Sequence, residues 1–337
     1  MSEVIVDVIR VRQEAWSWGM TSSRSRTDVS PSITLALGVV VCTRAILLIG
    51  CIAAFAACKA RDEPVQTETT TAAPNVVSLT ATEYSIQAPE TVPGGWTTFR
   101  LVNQGEEVHY GHIVQLEPGR TVGELVDAYA EAIRTSGPRP KWVKRFGGPG
   151  GTAPGDSSSV TQYLEPGSYV WICPVEDSGG NPHFAKGEAK PFVVGPADPV
   201  VADRGAAPKA GVVIRLMDFS FAVDTPLRVG RHTIRVENAG VEPHDLVLMK
   251  LAPGRTLEDV RTSMNPERPR RADQTGAAPS LESLGTLAGG IAVIAPGMQS
   301  FFDATFSPGK YVLICMTTAP DGRSHIEHGM IQQVSVR

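Results

Sequence analysis

Near the C-terminus, Cys315, His325 and Met330 follow one another as Cys-x9-His-x4-Met. A thiolate, an imidazole and a thioether together suit copper in both of its oxidation states. The β-branched apolar run Tyr311 to Ile314 leads into the cysteine, and an alternating run (Ile331, Val334, Val336) follows the methionine. The pattern predicts a strand that brings the thiol to one end of a sheet. A Pro/Gly loop then carries the imidazole and the thioether past it before the next strand begins. Such a set needs a second imidazole. His244 is placed to supply it, opening the apolar run HDLVLM six residues after Asn238.

The same spacing occurs once more upstream. Asn103-Gln-Gly-x-x-x-His109 copies Asn238 to His244, and Cys173-x9-His183 copies Cys315-x9-His325. LEPGRT (116–121) matches LAPGRT (251–256) at an offset of 135, and GSYVWIC (167–173) matches GKYVLIC (309–315) at an offset of 142. A duplicated unit this long argues for two domains of one fold, since solenoid periods run to only about 20–50 residues. Each copy reads as short strands separated by turn signals, which predicts an antiparallel Greek-key sandwich. One helix per copy is expected just after PGRT, with Thr121/Glu124 and Thr256/Asp259 placed as capping boxes. Over 121–135, Leu125, Ala128, Tyr129 and Ile133 form its core-facing stripe.

Asn238-Ala-Gly-x-x-Pro-His244, then Cys315 and His325-x4-Met330-x3-Val334, resembles the cupredoxins, the plastocyanin/azurin family of type 1 blue-copper proteins. The resemblance spans the C-terminal copy and, through the repeat, the copy before it; the Cys-to-His loop is longer than in plastocyanin-like members. It implies an all-β chain of two tandem Greek-key, cupredoxin-like β-sandwich domains, each with one short helix insertion. It also implies one type 1 copper per domain, held by His244, Cys315, His325 and Met330 in the second and by His109, Cys173, His183 and Glu188 in the first. Glu188 is the departure, standing where the methionine would fall. A carboxylate there is a harder, charged donor that stabilises Cu(II), lowers the potential and admits Zn²⁺. The alternative is a degenerate site with Glu188 facing solvent. His112 is a rival first-site ligand and otherwise a rim residue, His328 an exposed imidazole in the ligand loop, and Trp171 a core residue.

With 337 residues, the chain divides into a leader (1–58), a Thr/Pro/Glu-rich stalk (59–75), a first domain (76–194), a Pro/Ala linker (195–210) and a second domain (211–337). Residues 33–57 are almost wholly apolar, follow Arg24 and Arg26, and end Phe55-Ala56-Ala57-Cys58 before a polar stretch. This resembles a bacterial lipoprotein signal with Cys58 as the lipidated residue; an uncleaved membrane anchor is the alternative. Either reading places the protein outside the cytoplasm, membrane-anchored, on the periplasmic or extracellular face. Outside the leader only Cys173 and Cys315 remain, one per repeat, and metal ligation accounts for two unpaired thiols in an exported chain better than a disulfide between repeats does.

A formal charge of −4, with Lys and Arg scattered along the sequence, argues against a nucleic-acid partner. The seven histidines include no His-x-His pair and none beside Cys173 or Cys315, so a trinuclear copper cluster has no ligands and no enzyme is expected. Three functions stay open: one-electron transfer with redox partner proteins, copper capture or delivery, and a metal-free interaction module.

Overall fold

The computed structural model describes residues 75–135, 137, 139–196, 207–264 and 281–337. The expected leader, Cys58, the stalk up to residue 74 and most of the 195–210 linker lie outside the described residues. Among the described residues, no helix is long and apolar enough to cross a membrane.

The chain is all-β, as expected. The first repeat contributes β1 (Asn75–Thr82), β2 (Ser85–Gln87), β3 (Thr91–Val92), β4 (Gly95–Asn103), β5 (His112–Leu116), α1 (Val122–Arg134), β6 (Val143–Gly147), β7 (Ser157–Leu164), β8 (Gly167–Ile172) and β9 (Ala189–Val194). The second contributes β10 (Val212–Met217), β11 (Ser220–Val223), β12 (Gly230–Asn238), β13 (His244–Leu251), α2 (Leu257–Met264), α3 (Leu281–Leu284), β14 (Gly285–Ile294), β15 (Gln299–Phe306), β16 (Gly309–Ile314) and β17 (Ile331–Val336).

Two sheets form, and each runs through both repeats. One has 8 strands in the order β11-β10-β12-β15-β7-β4-β1-β2, the other 9 in the order β17-β16-β13-β14-β6-β5-β8-β9-β3. The repeats join where β15 pairs with β7 (Phe302↔Val160) and β14 with β6 (Ile294↔Phe146). Across this seam the buried Ser300 hydroxyl donates to the buried Gln162 side-chain oxygen. The expectation of purely antiparallel sheets is corrected: β1/β4, β10/β12 and β3/β9 pair in parallel. The second repeat also carries the extra short helix α3 beside the one expected.

Burial explains which sequence patterns appear where. In β1, Val77, Leu79 and Ala81 alternate inward, and in β12, Ile234, Val236 and Asn238 do so, as half-solvated strands require. The strands that reach the cysteines, β8 and β16, are buried on both faces and read as unbroken apolar runs. One face meets the opposite sheet and the other meets a helix: Val170 and Ile172 pack with Leu125 and Tyr129 of α1, and Val312 and Ile314 with Val260 of α2. The α1 helix begins at the capping box Thr121/Glu124, and its buried stripe is Leu125, Tyr129 and Ala132. Ala132 replaces the expected Ala128 and Ile133, which are only half-buried. Trp171 is fully buried, stacked on Phe192 with ring centroids 4.4 Å apart.

Candidate metal centres

At the end of β16 the chain leaves the sheet at Cys315 and returns at Met330, and three backbone hydrogen bonds fix the loop. Cys315 N donates to Met330 O (3.3 Å), Met330 N to His325 O (2.8 Å) and His325 N to Thr317 O (2.9 Å). His244 arrives from the opposite strand, β13. Its approach is held by Asn238, whose side-chain amide donates to Glu242 O (2.8 Å) and Ile294 O (3.0 Å) while its oxygen accepts from Gly240 N (3.0 Å). His244, Cys315, His325 and Met330 are all fully buried.

The donor atoms converge. His244 Nδ1 lies 3.0 Å from His325 Nδ1, and Cys315 Sγ lies 3.3 Å from His325 Nδ1 and 3.7 Å from His244 Nδ1. A metal about 2.0–2.1 Å from each nitrogen and about 2.3 Å from the sulfur, with angles of roughly 95–115°, separates such donors by about 3.0–3.7 Å. The residues fit an ion. Met330 lies in the apolar cluster that also contains Cys315.

The first repeat reproduces this scaffold atom for atom in its backbone. Cys173 N donates to Glu188 O (3.1 Å), Glu188 N to His183 O (3.0 Å) and His183 N to Val175 O (2.7 Å). Asn103 holds the approach to His109 as Asn238 holds that to His244. Glu188 therefore stands in Met330's place, and it is fully buried rather than facing solvent. Its carboxylate accepts from both imidazoles, with Oε1 and Oε2 at 2.8 and 2.9 Å from His109 Nδ1 and Oε2 at 3.1 Å from His183 Nδ1. Cys173 Sγ lies 3.6 Å from His183 Nδ1. The ligating atoms of His109, Cys173, His183 and Glu188 all lie within 4.8 Å of one another, as do those of His244, Cys315 and His325.

Three carboxylates that sequence reasoning missed border the imidazoles, one of them Glu107, whose Oε2 lies 2.7 Å from His183 Nε2. Asp218 Oδ1 lies 3.1 Å from His244 Nε2, and Glu83 Oε1 lies 3.4 Å from His109 Nε2. Asp218 and Glu83 each also accept backbone N–H bonds from the loop before the histidine they meet. A carboxylate on the outer nitrogen fixes the ring and turns Nδ1 towards the other donors. The signal was present: Glu83 and Asp218 stand at the same offset of 135 as His109 and His244.

The two centres differ in electrostatics. Burial pushes both thiols well above their ordinary range, reinforced by Glu188 at Cys173 and by the buried Asp245 carboxylate at Cys315. At His244, burial outweighs Asp218 and lowers the imidazole pKa; at His325, burial and the neighbouring His244 lower it to about 4. At His109, burial is outweighed by Glu188 and Glu83, and the pKa is raised. The metal-free C-terminal site therefore favours neutral imidazoles, whereas in the N-terminal one His109 keeps its proton more readily than a free imidazole. Metal binding displaces such protons. Near the ordinary histidine pKa of 6.5, loading the N-terminal site should release more protons per metal than loading the C-terminal one. Calorimetry in buffers of different ionisation enthalpy, on the Cys315→Ser and Cys173→Ser chains, checks this; equal release would contradict it.

His112 is corrected from a rim residue to a buried one, 3 % exposed, on β5 near the seam. Burial and the Arg145 guanidinium lower its pKa to about 3, against a bond to the Val293 backbone. Its folded-state pKa is depressed, so stability is full above about 6.5 and is lost as pH falls towards about 3. Unfolding curves at pH 7 and 4 should show His112→Leu losing less stability than the parent, by an amount on the order of 3–4 kcal/mol. An unchanged difference overturns this. His232 is remote from both centres, bonded to Arg228 O. His328 is only 19 % exposed at its side chain and stacks on Phe219. The fold also gathers cations: Lys141, Lys144, Arg145 and Lys190 of the first repeat line a groove of about 1540 Å³ that also takes in Pro243, Ala295 and Pro296 of the second.

Comparisons with family models and with curated proteins return no match. Among solved structures, the chain is similar to an auracyanin from Roseiflexus castenholzii (17% identity, 37% of this chain and 94% of that one, TM-score 0.25). It is similar also to an azurin from Methylomonas sp. strain J (16%, 37% and 100%, 0.25) and to a copper-containing nitrite reductase from Thermus scotoductus SA-01 (12%, 79% and 62%, 0.22). These likenesses are low in identity and in score, and the chemistry of the two centres stands on their own residues.

Proposed function

We infer that the C-terminal centre holds copper as a one-electron carrier, with His244, Cys315 and His325 as its strong ligands and Met330 as its weak one. The observation that carries this is the convergence of two Nδ1 atoms and one Sγ at 3.0–3.7 Å inside a sealed sandwich. Thiolate and imidazole serve both oxidation states of copper, and a rigid site limits rearrangement between them. The partners on this reading are other redox proteins, and the chain works outside the cytoplasm, tethered by its N-terminus. The reading is a carrier rather than an enzyme, supported by the burial of the donor residues of both centres among the described residues.

The N-terminal centre, with His109, Cys173, His183 and Glu188, is read as a site for a divalent ion, either copper held in its oxidised state or zinc. Its support is Glu188, an anionic oxygen donor set between the two imidazoles. Copper loading of the full chain followed by stepwise reduction tests both readings. One copper per chain should show intense thiolate absorption that bleaches and returns, while the ion of the N-terminal centre resists reduction. A chain that binds copper without colour fits capture or delivery instead, and one that binds no metal fits an interaction module.

A further inference from the structure

One two-residue turn in each repeat touches both imidazoles of that repeat's centre. Thr82 pairs with Ser85 and Met217 with Ser220, so Glu83-Tyr84 and Asp218-Phe219 are the tips of the β1–β2 and β10–β11 hairpins. The acidic member meets the first imidazole, as described above. The aromatic member covers the second: Tyr84 meets His183 edge-on with centroids 4.9 Å apart, and Phe219 meets His325 edge-on at 5.1 Å. His183, which opens a 3-10 turn (His183–Lys186), and His325 are fully buried although they sit between strands at the end of the sandwich. His325 Nε2, under Phe219, is buried with no hydrogen-bond partner among the described residues. Phe219 is held at φ 65°, the left-handed region that a non-glycine residue occupies at a cost of roughly 1–2 kcal/mol. Such strain concentrates where a side chain has a task.

Each aromatic ring is held from outside by the ligand loop itself. Lys186, three residues after His183, places Nζ 3.5 Å from the centroid of Tyr84 and bonds Asp177 Oδ2 at 2.6 Å. His328, three residues after His325, stacks on Phe219 at 4.4 Å and meets Asp321 Oδ2 at 3.0 Å. Lys186 and His328 share the offset of 142 that relates the cysteines. The arrangement of imidazole ligand, aromatic cover and anchored outer residue is thus built twice with different side chains.

We propose that Tyr84 and Phe219 are lids, each controlling the passage of small metal-carrying and metal-removing molecules to the imidazole edge of its own centre. The lid is latched by Lys186–Asp177 in the first repeat and by His328–Asp321 in the second. This rests on the metal-binding reading above and assigns it a kinetic control: the donor set decides which ion is held, the turn how fast it exchanges.

The test uses the full chain loaded with Cu(II) and a small chelator, EDTA, with Cys173→Ser or Cys315→Ser backgrounds to separate the centres. Phe219→Ala should speed copper loss from the C-terminal centre by at least about tenfold. Tyr84→Ala should do the same only for the N-terminal centre, and Phe219→Leu should fall between. In the metal-free chain, modification of His325 by diethyl pyrocarbonate, mapped by mass spectrometry, should rise in Phe219→Ala and in the milder surface variant His328→Ala. Rates within twofold of the parent in chains with native circular dichroism overturn the lid, whatever the metal result. If the parent takes up no copper while His325 modification still rises, the lid stands and the copper reading falls.

Discussion

In the copper-loaded chain, Cys315→Ser is expected to abolish the intense visible absorption and the reversible one-electron response together. The thiolate is the donor whose orbitals give such a centre its colour and its fast exchange between oxidation states. Two neutral imidazoles and a thioether remain, and none of them carries charge. The loss of affinity should exceed the roughly 10–100-fold that removing an outer partner of a metal ligand costs. Serine is close to cysteine in size, and Asp245 and Thr317 lie beside the position, so the buried hydroxyl has partners and the fold should hold. Cys173→Ser provides the contrast. It should remove metal from the N-terminal centre and leave the redox response in place. If Cys173→Ser rather than Cys315→Ser erases the response, the assignment of the two centres is reversed. If neither variant changes it, the cysteines are not ligands.

Gly290→Ala should destabilise the chain by about 2–6 kcal/mol. Gly290 lies on β14 at φ 140°, a conformation that side-chain-bearing residues rarely adopt, and an added methyl would overlap the Leu246 carbonyl on the paired strand. Backbone strain of this kind costs about 1–3 kcal/mol, and overpacking a filled interior about 1–3 kcal/mol more. The strand that must yield is β13, which begins at His244, so metal affinity should fall more at the C-terminal centre than at the N-terminal one. Gly254→Ala serves as control. It too has positive φ (81°) but opens onto space, so only the conformational cost of about 1–2 kcal/mol applies. Denaturant unfolding of both variants measures the difference. Equal losses would falsify the close-approach argument and leave strain alone as the cause. Because both sheets run through both repeats, the loss should register in the unfolding of the whole body.

Glu188 shows where sequence and structure divide the work. Its spacing from His183 marked it as the counterpart of Met330, but spacing could not say whether it faced the metal or solvent. The tertiary structure settles the direction, because the side chain is buried with its carboxylate against both imidazoles. His112 went the other way. A histidine opening a strand reads as a rim residue, but here it is buried, with the Val293 backbone of the second repeat beside it. Strands β6 and β14 were not legible, for VKRFG and GTLAGGIAVI carry no clean two-residue alternation and the second is glycine-rich. They form because another strand edge lies beside them, with glycines admitting a neighbouring backbone where side chains would collide.

By itself the sequence determined the all-β class, the repeated spacings, the capped helices after PGRT and the seven His, Cys and Glu side chains whose donor atoms converge in two clusters. Those follow from local rules: alternation, capping, and donor types at repeated spacings. The tertiary structure alone decided that the two repeats share both sheets, that Glu83 and Asp218 brace the first imidazoles, and that Tyr84 and Phe219 cover the second. The physical reason is the same in each case. A strand edge, an outer carboxylate and an aromatic cover act through neighbours some 25 or more positions away, and which neighbour each one meets is set by register and sheet order, which no local pattern encodes.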